Sequence, residues 1–234
     1  MEYQMRLYGI PKVSNTEITP SLIKSIVDKE DPVILEIGCN DGTNTEWFLK
    51  SFSRPTIHCF EPDPRAIKRF RRRIGANEHV QLHEVAVCDI SGTVKFHQSS
   101  GIPRGNNCNL EQEDWDLSGS IKTPRAHLEK HPWCKFETSI QSPAIRLDEW
   151  AQKNEVAEVD FIWMDVQGAE LDVFRGGKDV IQRTRFIYTE YSERELYEGQ
   201  PNIKKILSAL PGFKIRERYE NDLLLENTLI AKKQ

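Results

Sequence analysis

Residues 32–46 constrain the fold more than any other stretch of this chain. They open with an apolar run that is rich in β-branched residues: Val33, Ile34, Leu35 and Ile37. Such a run predicts a strand that is buried on both faces, and Gly38 and Gly42 then allow a sharp turn of the backbone. Thr43 and Glu46 have the spacing of a capping box, which predicts the start of a helix. A buried strand, a glycine turn and a capped helix leave backbone N–H groups free to bind a small anionic group.

The residues of this turn favour some ligands over others. A dinucleotide-binding turn has glycine at its first, third and sixth positions, where this chain has Gly38, Asn40 and Thr43. Asn40 and Asp41 would crowd a pyrophosphate, Asp41 would also repel it, and Glu36 adds a second acid. The turn therefore suits a ligand with an amine or a sulfonium better than one with two phosphates. The alternative is an ordinary strand-to-helix turn without a ligand.

A second strand is predicted at residues 56–60, and Glu61 and Pro62 follow it directly. Glu61 lies near the ~20-residue offset at which an acid at the end of the second strand binds a ribose diol in this class of fold. The position of Glu61 thus predicts a contact with a ribose.

Further predicted strands alternate with helices along the rest of the chain. They cover residues 80–87, residues 93–96 after a hairpin turn, residues 159–166, residues 185–191, residues 213–219 and residues 223–231. The link between the last two strands is too short for a crossover helix, so this pair is predicted to be antiparallel. Asp165 and Glu190 lie at carboxyl ends of strands, where open α/β sheets bind their ligands. The pattern predicts an α/β fold with a parallel sheet and one reversed strand.

Residues 98–140 interrupt this alternation. Glycine, proline and asparagine mark irregular chain, yet Trp115, Trp133 and Phe136 are too apolar for a tail in water. We expect part of this insertion to fold over the mouth of the sheet as a substrate lid, and an aromatic lid suits sugars. The alternative is a disordered insertion. With residues 1–30 as an N-terminal extension and helix, the chain is predicted to form a single domain, residues 1–234.

Composition limits the partners and the compartment. A net charge of -4 gives no electrostatic case for binding nucleic acid or an anionic membrane, and the basic run at residues 68–73 is interpreted as a solvated helix face. The five cysteines include no C-x-x-C pair, which predicts reduced thiols in a cytoplasmic protein. No apolar run approaches the ~20 residues of a membrane span, and the N-terminus lacks the apolar stretch of a signal peptide.

Four motifs, in order, resemble those of the FkbM-type S-adenosylmethionine-dependent methyltransferases. They are Glu-Ile-Gly-Cys-Asn-Asp-Gly at residues 36–42, Phe-Glu-Pro at residues 60–62, Arg-Leu-Asp at residues 146–148 and Asp-Phe-Ile-Trp-Met-Asp-Val-Gln-Gly-Ala-Glu at residues 160–170. The resemblance runs from about residue 30 to the C-terminus. In the last motif the family usually has a lysine where this chain has Trp163, and a glutamate where it has Gln167.

The resemblance implies a class I methyltransferase fold, which is Rossmann-like. Its mainly parallel, seven-stranded sheet ends in a C-terminal antiparallel hairpin and carries helices on both faces. It also implies S-adenosylmethionine as the cofactor and O-methylation of a small hydroxylated acceptor, such as a sugar or glycan. By position, the methionine part of the cofactor would contact one loop: Glu36, Gly38, Asn40, Asp41 and Gly42. The ribose would contact Glu61, beside Pro62, the adenine would lie near Ala86 and Val87, and Asp165 would face the methyl-donor end.

Methyl transfer to an alcohol needs in-line alignment and benefits from a base. Asp165 and Glu190 are the candidate catalytic residues. Alternatively, these two acids bind a divalent cation such as Mg²⁺ that lowers the pKa of the alcohol. The interpretation requires an open crevice that Glu36 and Glu61 face together.

Two other functions fit the same sheet. A nicotinamide-dependent oxidoreductase would bind NADH, although the absence of glycine at positions 40 and 43 counts against it. A non-catalytic domain would bind the cofactor without turnover. The sequence does not indicate an oligomeric state.

Overall fold

The computed structural model describes residues 10–102 and 114–230, and its largest feature is a seven-stranded sheet. The strands of this sheet are β1 (Val33–Ile37), β2 (Thr56–Phe60), β3 (Val80–His83), β7 (Val159–Met164), β8 (Thr184–Glu190), β9 (Phe213–Arg218) and β10 (Asp222–Asn227). Their spatial order is β3-β2-β1-β7-β8-β10-β9. The first five strands in that order run parallel, whereas β10 is antiparallel to both of its neighbours. The predicted sheet and its closing antiparallel pair are thus confirmed.

The strand order reverses between β1 and β7. The chain proceeds outward from β1 through β2 to β3 on one side, and from β7 through β8 on the other. Helices that leave β1 and β7 therefore diverge, which opens a crevice at the carboxyl ends of these strands. The register pairs Ile37 with Met164, so the turns after the two strands lie side by side.

Helices cover both faces of the main sheet. The described ones are α1 (Pro20–Val27), α2 (Thr43–Ser51), α3 (Pro64–Ile74), α4 (His127–Lys130), α5 (Leu147–Lys153), α6 (Glu170–Gly176), α7 (Lys178–Gln182) and α8 (Ile203–Ala209). Buried residues of α1, α2 and α3 pack with Ile34 and Phe161 on one face. Those of α5 to α8 pack with Leu35 and Ile162 on the other. Neighbouring residues in a strand point to opposite faces, so both faces need apolar residues, as the continuous runs in the sequence indicate.

A second, three-stranded sheet departs from the prediction. Its strands are β4 (Ala86–Cys88), β5 (Gly92–Ser100) and β6 (Lys135–Arg146), in the order β4-β6-β5. Residues 80–87 were predicted to form one strand, but β3 ends at His83, opposite the last residue of β2, and β4 pairs with β6 instead. The predicted hairpin turn before residue 93 is also wrong, because β6 lies between the two strands that this turn connects.

The start of α2 differs from the predicted capping box. Gly42, in a left-handed conformation with φ 83°, caps the helix, and Thr43 is its first residue. Asp41 Oδ1 accepts a hydrogen bond from the backbone N of Thr43 at 3.1 Å and so takes over the role predicted for the Thr43 side chain.

Three parts of the sequence lie outside the described residues: 1–9 of the predicted N-terminal extension, 103–113 of the predicted insertion, and 231–234, which include the last residue of the final predicted strand. Within the described residues, none of the helices has the length and apolar character that crossing a membrane requires.

Candidate active site

Two cavities lie at the carboxyl ends of the parallel strands and share part of their lining. The first, of about 190 Å³, is lined by seven residues that were predicted to bind the cofactor: Gly38, Asn40, Glu61, Pro62, Ala86, Val87 and Asp165. The second, of about 300 Å³, includes Glu190 in its wall. Leu117, Asp165 and Gln167 line both cavities. Asp165 and Gln167 therefore lie where a ligand in one cavity would meet a ligand in the other.

Gly38 allows the ends of β1 and β7 to approach each other. It has φ 87°, and a Cβ added there would lie 1.9 Å from the carbonyl oxygen of Asp165. The backbone N of Asp165 donates a hydrogen bond to the Ile37 carbonyl at 2.9 Å, which holds the two turns together. Any side chain at position 38 would separate them.

Glu61 is a buried carboxylate in the wall of the first cavity. Its Oε2 accepts a hydrogen bond from the backbone N of Asn40 at 2.9 Å, and its Oε1 accepts one from the backbone N of Asp63 at 2.8 Å. Burial nevertheless raises the pKa of Glu61 to about 8. The two bonds fix the orientation of the carboxylate, and each oxygen keeps a lone pair that can accept a ligand hydroxyl.

Glu36 does not face either cavity. Its side chain points to the opposite face of the sheet from Leu35 and Ile37, where Oε2 accepts a hydrogen bond from the Thr45 hydroxyl. The Cys59 thiol lies 3.7 Å from the same oxygen, and burial raises the pKa of Glu36 to about 8. This corrects the expectation that Glu36 and Glu61 face one crevice. Strand alternation decides the outcome, because a residue between two that face the crevice-side core must point away from it.

Asp41 and Gly42 also lie outside the lining of the cavities. Asp41 Oδ2 is 2.6 Å from Arg73 Nη2, and Oδ1 accepts a hydrogen bond from the Thr43 hydroxyl at 2.7 Å. A Cβ added at Gly42 would lie 2.9 Å from side-chain atoms of Phe70 and Ile74 on α3. Glycine is needed there for the packing of a helix, whereas the sequence suggested contact with a ligand.

Gln167 links the two predicted catalytic carboxylates. Its amide Nε2 donates hydrogen bonds to Asp165 Oδ1 at 2.5 Å and to Glu190 Oε2 at 3.1 Å. The hydroxyl of Tyr197 lies 3.2 Å from Gln167 Oε1, which orients the amide with its nitrogen toward the acids. Burial raises the pKa of both carboxyls, and the charge of Asp165 raises that of Glu190 further. The resemblance marked position 167 as a departure from the family, but sequence reasoning did not identify it as part of the site.

The segment formed by residues 114–121 contributes to both cavities. Asp116 lines the first cavity, and its Oδ2 lies 2.5 Å from Arg69 Nη2 on α3. The hydroxyl of Ser120 donates a hydrogen bond to the Gln167 carbonyl at 2.8 Å. The arginines of α3 were interpreted as a solvated face, but Arg65 and Arg73 also form ion pairs with carboxylates. Sequence reasoning missed Asp116, for which the acids after residue 110 and the arginines of α3 were the available signal.

Aromatic side chains from the predicted insertion form one wall of the second cavity. Trp115 and Trp133 both line it, with ring centroids 5.0 Å apart and ring planes at 88°. His127 and His131 line it as well, and burial lowers the pKa of both. Phe136 lies behind this wall, against His127.

Trp163, the other departure from the family pattern, lies away from the site. It is buried on the face of the sheet that carries α2, with its ring centroid 4.3 Å from that of Tyr188. The exchange at position 163 therefore concerns the packing of that face.

The described residues contain no group of three or more His, Cys, Asp or Glu side chains that could hold a metal ion. The expectation of a divalent cation at Asp165 and Glu190 thus gains no support from the described part of the chain.

Comparison with known proteins bears on the family of the chain. Residues 36–220 match the model of the methyltransferase FkbM domain. The chain is 44% identical over 224 residues to the 2-O-methyltransferase NoeI of Sinorhizobium fredii. This alignment covers 94% of this chain and 89% of that protein. It is 27% identical over 158 residues to methyltransferase 1 of Beauveria bassiana. This second alignment covers 64% of this chain and 60% of that protein.

Solved structures show a more distant likeness. An rRNA methylase from Streptococcus thermophilus is 8% identical with a TM-score of 0.47, over 89% of this chain and 93% of that one. Fibrillarin of Aeropyrum pernix, solved with S-adenosyl-L-methionine, is 15% identical with a TM-score of 0.46, over 88% of this chain and 71% of that one. Likeness at this level identifies neither a ligand nor a substrate.

The strand order, the glycine turn after β1 and the helices on both faces define the fold of the class I methyltransferases. Within this class, the chain belongs to the FkbM methyltransferase family. It is a methyltransferase, as the motifs in the sequence predicted.

Proposed function

We propose that this protein transfers a methyl group from S-adenosylmethionine to a hydroxyl group of a small hydroxylated acceptor, a sugar or glycan. One observation carries the proposal: Asp165 lines both cavities, so a carboxylate lies at the boundary between a ligand in the first and a ligand in the second. Methyl transfer between two bound molecules requires such a shared boundary, because the two reacting atoms must be in contact.

The first cavity is proposed as the cofactor site because its residues fit the parts of that molecule. Glu61 would accept the ribose hydroxyls, and the apolar side chains of Ala86 and Val87 would contact the adenine. The turn at Gly38 and Asn40 would hold the methionine part. Glu36, Asp41 and Gly42 are proposed as supports of this turn, because their side chains or Cβ positions meet other protein groups.

The cofactor would supply an electrophilic methyl group on a positively charged sulfur. Transfer of that methyl group to the acceptor oxygen would release the hydroxyl proton, which a base of the protein must accept. We assign this base role to Asp165, because Asp165 lines both cavities whereas Glu190 lines only the second. Burial raises the pKa of Asp165 and thereby strengthens it as a base, as general-base catalysis at neutral pH requires.

The relative that is 44% identical supports a proposal for the position of methylation. Its name specifies transfer to a 2-O position, and we propose a 2-hydroxyl as the acceptor atom here. The segment of residues 114–121 is proposed as the described part of the substrate lid, since it lines both cavities. A net charge of -4 supports a small acceptor over a nucleic acid.

Calorimetry with S-adenosylmethionine and with its demethylated product is the first test. We expect both to bind to one site, and mass spectrometry after incubation with hydroxylated acceptors to show products heavier by one CH₂ group. Absence of binding by both ligands would refute the proposal. Binding of NADH instead would favour the oxidoreductase, and binding without turnover on any acceptor would favour the non-catalytic domain.

The divalent cation is tested by chelation. The Gln167 amide already occupies one oxygen of Asp165 and one of Glu190, so we expect turnover to persist in EDTA. Loss of turnover in EDTA with recovery on addition of Mg²⁺ would show that the cation takes part.

A further inference from the structure

We infer that the second cavity is the acceptor site, in which Trp115 and Trp133 contact a pyranose ring, one indole with its face against the apolar side of the sugar and the other with its edge, while Glu190 and Gln167 bind the hydroxyls. The inference rests on the proposed methyl transfer and deepens it, because it names the part of the acceptor that the protein recognises.

The aromatic wall is held in place by the backbone. The backbone N of Trp115 donates a hydrogen bond to the Gly101 carbonyl at 2.9 Å, and a Cβ on Gly101 would lie 2.1 Å from the Trp133 carbonyl oxygen. Gly101 thus joins the two segments that carry the rings. The indole Nε1 of Trp115 also donates a hydrogen bond to Ser118 Oγ at 2.8 Å. Both rings are half-buried, so each is fixed and still presents surface to the cavity.

Another part of the cavity lining is polar. Glu190, Asp165 and Gln167 line it, and the two carboxylates are bridged by one amide nitrogen. An acceptor that fits between these walls has one apolar face and an edge of hydroxyl groups. A pyranose ring has this character, because its axial C–H bonds form an apolar face whose hydrogens are attracted to the negative face of an aromatic ring. A linear polyol carries the same hydroxyls without a rigid apolar face.

The charges of the cavity select an uncharged sugar. The ionised Asp165 that the proposed base role requires would repel a phosphate or a carboxylate on the ring. Burial lowers the pKa of His127 to about 4 and also lowers that of His131, so these two side chains are neutral at pH 7. Lys130 lines the cavity too, but its side chain is exposed at the mouth. We therefore expect neutral pyranosides to bind in preference to sugar phosphates and uronic acids.

The test compares Trp115→Ala, Trp133→Ala and Trp133→Phe with the native protein. Trp47→Ala serves as the matched control, because Trp47 packs against Trp163, on the face of the sheet away from the cavity. Initial rates are measured with methyl hexopyranosides, with a linear hexitol and with hexose phosphates at saturating S-adenosylmethionine. Saturation-transfer NMR with the same sugars, in the presence of S-adenosylhomocysteine, reports binding without turnover.

We expect each alanine variant to raise the KM for the preferred pyranoside about three- to tenfold with a much smaller change in kcat, since a stacking contact contributes ~0.5–1.5 kcal/mol. Trp133→Phe should recover most of this loss, Trp47→Ala should leave KM unchanged, and calorimetry should show unchanged affinity for S-adenosylmethionine in all variants. The hexitol should be a poor acceptor for every variant.

Two results would overturn the inference while the proposed function stands. One is an unchanged KM for the pyranoside in both alanine variants. The other is methylation of the hexitol or of hexose phosphates by the native protein without detectable binding of any pyranoside. By contrast, a native protein that fails to bind S-adenosylmethionine would refute the proposed function itself.

Discussion

Glu61 is the residue on which the proposed cofactor site depends most. Two backbone N–H groups fix its carboxylate, and it is 5% exposed. Glu61→Gln should weaken binding of S-adenosylmethionine roughly 2- to 10-fold, because it alters the carboxyl group that would bind the ribose hydroxyls, and a hydrogen bond between uncharged groups contributes ~0.5–1.5 kcal/mol. Calorimetry measures this change. The control is Glu84→Gln, the same substitution at an exposed residue. Equal affinities in the two variants would exclude a contact between Glu61 and the ligand.

Asp165 and Glu190 should differ in their effects on catalysis. Asp165→Asn removes the proposed base, and general-base catalysis contributes about 10²- to 10⁴-fold, so kcat should fall by that factor. Glu190→Gln should mainly raise the KM for the acceptor, because Glu190 lines only the second cavity. Steady-state kinetics with circular dichroism of both variants checks this. A larger loss of kcat in Glu190→Gln than in Asp165→Asn would show that Glu190, rather than Asp165, is the base.

At the scale of elements, the approach of β1 to β7 depends on Gly38. Gly38→Ala places a Cβ 1.9 Å from the Asp165 carbonyl oxygen at φ 87°, and we expect it to destabilise the protein by about 3 kcal/mol or more. Gly75→Ala is the matched control, because φ is 64° there and the added Cβ meets nothing within 4 Å. It should cost about 1–3 kcal/mol of backbone strain, because ψ at Gly75 is -153° and this region is essentially restricted to glycine. Urea denaturation measures the stability of both variants. Similar losses of stability would show that the contact between an added Cβ and the Asp165 carbonyl oxygen contributes little.

The ion pair between α3 and the segment of residues 114–121 is a second test at this scale. Arg69→Met removes the cation next to Asp116, whose side chain is 2% exposed. Since the Arg69 side chain is 35% exposed, we expect a loss of only about 1–2 kcal/mol and a few-fold weaker affinity for S-adenosylmethionine. The control is Arg71→Met, where an exposed pair with Glu84 contributes little. A Tm that falls equally in both variants would contradict a special role for the Arg69 pair.

At the scale of the whole molecule, buried carboxyl groups link stability to pH. Burial raises the pKa of Glu36, Glu61 and Glu170 to about 8, above an ordinary value of 4.5. In the folded state these groups retain protons that the unfolded chain has released, so their contribution to stability is present at low pH and is lost as pH rises toward 8. The pKa values of His58 and His127 are lowered to about 4, so the protonation of these histidines affects stability only below about pH 6.5.

We therefore expect the Tm to fall between pH 6.5 and pH 8.5. The free energy of unfolding should decrease by at most about 1.4 kcal/mol per pH unit for each carboxyl. Differential scanning calorimetry without added cofactor measures the slope. Glu36→Gln should flatten it, because the amide cannot ionise in its buried position beside Thr45. A Tm that stays constant or rises over this interval would show that these carboxyls are ionised in the folded protein.

Much of the fold and about half of the site could be predicted because the relevant signals are local. The strand, turn and helix at residues 33–51, the acids at the carboxyl ends of strands and the antiparallel final pair follow from nearby residues. Of the predicted cofactor residues, Glu36, Asp41 and Gly42 are absent from the lining of the cavities, while Gln167 and Asp116 were not predicted. Strand alternation is a local signal that Glu36 and Ile37 point to opposite faces, but which face borders the cavities, and which distant segment a side chain contacts, have no local signal.

The sequence by itself determined the class of fold, the family and the end of the sheet at which the two cavities lie, because periodicity, glycine positions and motif order are properties of neighbouring residues. Only the tertiary structure decided that Glu36 faces away from Glu61 and that residues 86–88 join a second sheet. It also decided that Trp115 meets Trp133 and Asp116 meets Arg69. The physical reason is that these arrangements depend on packing between segments far apart in the chain.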